Sequence, residues 1–171
     1  MKSDLWYRFE TAVRGLTPFI LTLSLAMLTV VPLRIPDFAP VTPALTLIAV
    51  FYWSIYRPDL LPMAAVFGIG LFQDALAGTP LGLTALVLIT VQYVLISQRR
   101  FFHGKTFLVE WWGFMLVAPG AAFAGWLLAS LYFGVLVAPR PLGFQLLLSV
   151  ALYPCLAWLF ARAQHYLLRS A

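Results

Sequence analysis

Six apolar runs, each closed off by proline, glycine or charge, take up most of this chain and leave it few ways to fold. They cover residues 16–33, 41–56, 60–77, 81–98, 107–138 and 144–166. A hydrocarbon core about 30 Å thick needs roughly 20 helical residues, so these runs read as membrane-crossing helices, the second of them short and the fifth long. Composition points the same way: 63% of the residues are hydrophobic, 10% are charged and the mean hydropathy is +0.93. The expectation is an all-α, polytopic membrane protein of about six transmembrane helices, with residues 1–171 forming a single transmembrane domain.

Charge sets the expected orientation. With both termini cytoplasmic, that side collects Lys2, Arg8, Arg14, Arg57, Arg99, Arg100, Lys105, Arg162 and Arg169, nine of the eleven basic residues, and leaves Arg34 and Arg140 outside. An odd number of spans would spoil this asymmetry. Trp6, Tyr7, Tyr52, Trp53, Tyr56, Trp111, Trp112 and Tyr166 fall near the inferred interfaces, where amphipathic rings prefer to sit. The net charge of +5 therefore reports topology, and no nucleic-acid partner is expected. The first run is too long for the core of a signal peptide and no small-x-small cleavage site follows it, so it counts as the first span. The lone Cys155 excludes an intramolecular disulfide and is expected to be a buried small hydrophobe. The outer loops Pro32 to Pro43, Gly78 to Pro80 and Pro139 to Pro141 are short and proline-rich, which suits tight hairpins.

One carboxylate interrupts the third run. Asp74 lies about 21 Å along a helix begun near Leu60, in the outer third of the membrane, where a charge is costly. Gly70, Asp74 and Gly78 repeat at four-residue spacing on one helix face, so another helix can come close to the carboxylate. Its expected partners are the backbone amides of the Thr79–Gly82 turn, where Pro80 precedes the fourth helix, or the hydroxyls of Thr79 or Thr84. Two roles stay open: a staple for the hairpin, or a contact for a partner protein or small solute.

Elsewhere the chemistry is sparse. Ala121, Gly125 and Ala129 make a small-xxx-small pattern in the fifth span, for packing within the monomer or for a subunit interface in a homo-oligomer. Pro119 either bends that span or breaks it. Glu110 beside Trp111 and Trp112 reads as a solvated charge at the cytoplasmic boundary, and the Arg99–Lys105 loop as a topology determinant. His103 and His165 stand apart from any metal-ligand or nucleophile pattern and are expected to be solvated or interfacial. No catalytic set, metal site or cofactor is expected, and an enzyme is the weakest reading.

The segment Gly68-x-Gly70-x-x-x-Asp74-x-x-x-Gly78-x-Pro80-x-Gly82, with the Tyr-Arg-Pro-Asp turn at 56–59 and Pro43 ahead of a short second helix, resembles the MreD family of bacterial rod-shape-determining membrane proteins. The resemblance implies a multi-pass inner-membrane scaffold of the cell-elongation complex without enzymatic activity of its own. It would act in peptidoglycan synthesis and cell-shape maintenance with MreC, a single-span protein, and near MreB, RodA and a peptidoglycan transpeptidase. Gly70, Asp74, Gly78, Pro80, Gly82 and Gly125 become the residues expected to bind partners or shape the fold. MreD-like proteins are also similar in fold to the substrate-binding subunits of energy-coupling-factor vitamin transporters, which supplies the alternative function. Such a subunit needs a polar cavity, and Gln73, Asp74, Thr84, Gln92 and Gln145 are nearly all that the spans offer.

Overall fold

The computed structural model describes residues 2–30, 42–102, 104–136 and 140–168, with side chains over 16–30, 42–101, 104–136 and 141–165. The described residues are helical, with no strand: α1 (Lys2–Val30), α2 (Leu45–Tyr56), a 3-10 turn (Pro58–Leu60), α3 (Met63–Ala77), α4 (Leu83–Ser97), α5 (Arg99–Phe102), α6 (Phe107–Phe133) and α7 (Arg140–Leu168). Two segments, Phe107–Phe133 and Pro141–His165, are long and apolar enough to cross a membrane; α2, α3 and α4 are shorter apolar helices, and α1 is apolar over Leu16–Val30. The termini, His103, Arg34 and most of the two outer loops around residues 31–41 and 137–139 lie outside the described residues.

The helix bounds differ from the apolar runs for physical reasons. Hydropathy marks where lipid begins, whereas backbone hydrogen bonding continues through polar sequence; α1 accordingly starts at Lys2 instead of residue 16. At α6 the reverse holds, because Gly134 takes a left-handed backbone (φ 67°) and ends the helix before residue 138. The α6 helix also runs unbroken through Pro119.

At the centre lies α2. Every residue from Leu45 to Ile55 is buried, as expected of a helix that is apolar all round. Twelve residues rise only about 18 Å, so α2 is a core helix shorter than the lipid is thick. It is packed by α1, α4, α6 and α7. Phe51 meets the rings of Phe114 and Tyr153 edge-on at 5.3 and 5.7 Å, and Phe114 stacks on Tyr153 at 4.7 Å. The start of α2 has no cap of its own; the hydroxyl of Ser149 on α7 accepts from the Ala44 amide at 2.9 Å while donating to the Gln145 carbonyl at 2.6 Å. At its other end, the buried Gln92 of α4 donates through Nε2 to the carbonyl of Leu61 at 2.8 Å, which ties the 3-10 turn to the bundle.

Candidate functional site

Helices α3 and α4 approach closely, and Gly70 is the reason. A Cβ built at Gly70 would lie 2.4 Å from the Cα of Ala85, so only glycine lets the two backbones meet there. Below this contact the hairpin turns through Gly78 (φ 68°) and Gly82 (φ 96°), both left-handed positions where glycine is favoured. The Leu83 amide donates to the Pro80 carbonyl at 3.1 Å and closes the turn.

Asp74 joins the two halves of this hairpin. It is 0% exposed. Its Oδ1 accepts from the Thr79 hydroxyl at 2.9 Å and its Oδ2 from the Gly82 amide at 3.0 Å; the Thr84 amide is shared by both oxygens at 3.2 and 3.1 Å. Gly82 is the residue capping α4 and has no side chain with which to do so, so the α3 carboxylate takes over that role. The N-terminal end of α4 also supplies the positive end of a helix dipole. The main-chain carbonyl of the same residue accepts from the Gly78 and Thr79 amides and ends α3. One residue therefore stops one helix and starts the next, using donors that the sequence places four to ten positions downstream.

Two concavities adjoin the hairpin. An open groove of about 640 Å³ runs between the turn and the end of α6, lined by Gly78, Pro80, Leu81, Gly82 and Tyr132. Leu81 projects at its tip with 72% of its surface exposed. A second cavity of about 340 Å³ lies among α1, α2, α3, α4, α6 and α7, with Thr46, Gln73, Thr84, Gln145 and Gly125 on its walls. Within it the buried Thr46 Oγ1 and Gln73 Oε1 have no hydrogen-bond partner among the described residues. Ala121 is buried on the same wall, and a Cβ at Gly125 would meet Val87 of α4 at 3.8 Å, an ordinary contact. The small-residue face thus points into the molecule.

Two expectations fail. Cys155 is exposed on α7 instead of buried, because hydropathy does not separate a face toward the core from one toward lipid. Glu110 is 4% exposed where a solvated charge was expected. Its Oε1 accepts from the Tyr56 hydroxyl at 2.6 Å, an interaction between residues 54 positions apart that no local pattern announces. His165 is exposed near the end of α7, as an interfacial residue would be. Among the described residues no three His, Cys, Asp or Glu side chains gather as metal ligands would.

A family model described as rod shape-determining protein MreD matches residues 10–163, nearly the whole chain and all of the hairpin. No curated protein and no solved structure matches it.

Proposed function

The chain belongs to the MreD family of rod shape-determining membrane proteins, and on that premise we propose that it is a non-enzymatic scaffold of the cell-elongation complex. In this reading it is one multi-pass domain of the bacterial inner membrane, with six spans and both termini cytoplasmic. It binds an MreC-like single-span protein, acts near MreB, RodA and a peptidoglycan transpeptidase, and needs no cofactor. The observation that carries the reading is the α3–α4 hairpin, a hydrogen-bonded turn fronting an open apolar groove. Asp74 has no surface and its oxygens are engaged within the chain, so its role is to hold the turn in shape, while the exposed Leu81 offers the contact.

The test is co-isolation in mild detergent from cells whose sole copy is a variant. Leu81→Arg should remain at its normal level in the membrane yet lose the MreC-like partner. Retention of the partner by Leu81→Arg would remove the groove from the reading, and a protein that brings down no elongation component at all would remove the scaffold.

A second reading has its own observation. The 340 Å³ cavity with the unpartnered Thr46 and Gln73 oxygens suits a small-solute (vitamin) transporter subunit. Co-isolation of paired ATPases with a membrane coupling subunit would favour it.

A further inference from the structure

A different pocket, of about 370 Å³, opens between α2, α6 and α7 at the end of the bundle that carries Arg57, Arg99, Arg100 and Lys105. Four aromatic residues, Tyr52, Tyr56, Phe107 and Trp158, line it together with the carboxyl group of Glu110. The Tyr52 and Tyr56 rings lie 4.5 Å apart, and Tyr52 is held by donation of its hydroxyl to Gln164 Oε1 at 3.2 Å. Tyr56 is the sole hydrogen-bond partner of Glu110 among the described residues, and no lysine or arginine there pairs with it. A carboxylate has room for about four donors. Its place in the first turn of α6 suits a negative charge, so the pocket presents a carboxyl group without a cationic partner among the described residues.

Aromatic faces around a carboxylate select an organic cation. The free acceptor capacity of Glu110 calls for N–H donors, which a primary ammonium has and a quaternary ammonium lacks. Just outside, the guanidinium carbon of Arg162 sits 5.3 Å from the centre of the exposed Trp158 ring. A cation there matches an anion carried a few bonds from the ammonium. We infer that this pocket binds the headgroup of a zwitterionic aminophospholipid, its ammonium on Glu110 among the aromatic rings and its phosphate toward Arg162. The inference needs the chain to lie in a membrane and is independent of which elongation protein it meets.

The full-length protein, purified in mild detergent, is mixed with equal amounts of phosphatidylethanolamine, phosphatidylcholine and phosphatidylglycerol of identical acyl chains, and the retained lipids are counted by native mass spectrometry. Wild type should hold phosphatidylethanolamine about tenfold over the other two, the scale of one charge-assisted hydrogen bond. Glu110→Gln, which keeps an acceptor for Tyr56, should abolish the preference. Trp158→Leu, altering an exposed wall, should weaken it with the melting temperature unchanged, and Arg162→Gln should lower retention of all three lipids. Equal retention of the three by wild type, or an undiminished preference in both Glu110→Gln and Trp158→Leu, would overturn the inference. Free phosphoethanolamine competing as well as the lipid would show that the headgroup chemistry is right and the bilayer source wrong, overturning the lipid assignment.

Discussion

Asp74 shows how a carboxyl side chain survives inside an apolar helix: three donors meet its two oxygens, and the desolvation cost is offset by these hydrogen bonds. Removing it strands the Gly82 and Thr84 amides at roughly 1–3 kcal/mol for each donor left unpaired. Asp74→Ala should therefore lower the steady-state amount of protein in the membrane, and Asp74→Asn, which turns an amide donor toward another donor, should recover it only in part; immunoblots of membrane fractions and melting of the purified protein check both. Normal level and stability in Asp74→Ala would reopen a direct partner contact for this residue. Glycines separate by the same reasoning. Gly70→Ala forces backbone against backbone and should cost roughly 1–3 kcal/mol. Gly125→Ala meets only a side-chain methyl at 3.8 Å and should leave stability and complementation unchanged. If the two glycine variants melt alike, close α3–α4 approach is not what Gly70 provides.

At the scale of an element, α2 depends on its neighbours for both burial and capping. It is twelve residues long, has no cap of its own, and relies on Ser149 of α7 to accept the Ala44 amide. Ser149→Ala removes that acceptor and should cost about 1 kcal/mol, the usual worth of a helix cap. Thermal melting checks this, and an unchanged melting temperature would mean that water takes the place of the hydroxyl. The α3–α4 hairpin behaves differently, since its closing bonds are local. Gly78→Ala places a Cβ at a left-handed position in open space, so its cost is the backbone term of about 1–2 kcal/mol without a clash.

For the whole molecule, the proposed six spans predict which residues chemical labels reach. In a Cys155→Ser background, a cysteine at Thr79 should react with an impermeant maleimide added to whole cells, while one at Lys105 should react only after the membrane is opened. Labelling of both from outside would refute the arrangement. Three apolar helices, α2, α3 and α4, are shorter than a simple crossing requires, at 12–15 residues each. Buried α2 accounts for its own case, since a helix wrapped in protein need not match the lipid thickness.

The amino-acid sequence by itself determined the helical, apolar class of this protein and the chemistry of the hairpin turn, because those depend on hydropathy and on residues within ten positions of one another. The Thr79 hydroxyl and the Gly82 amide were legible as donors for Asp74 for that reason, whereas Thr84, expected through its hydroxyl, donates its amide instead. Only the tertiary structure decided which apolar faces look inward, as the outward Cys155 and the fully wrapped α2 show. It alone brought Tyr56 to Glu110 and Ser149 to Ala44, across 54 and 105 positions. In lipid an outward face is as apolar as a core, so periodicity loses the signal that separates them in water, and a polar pair formed between distant helices leaves no trace in either one.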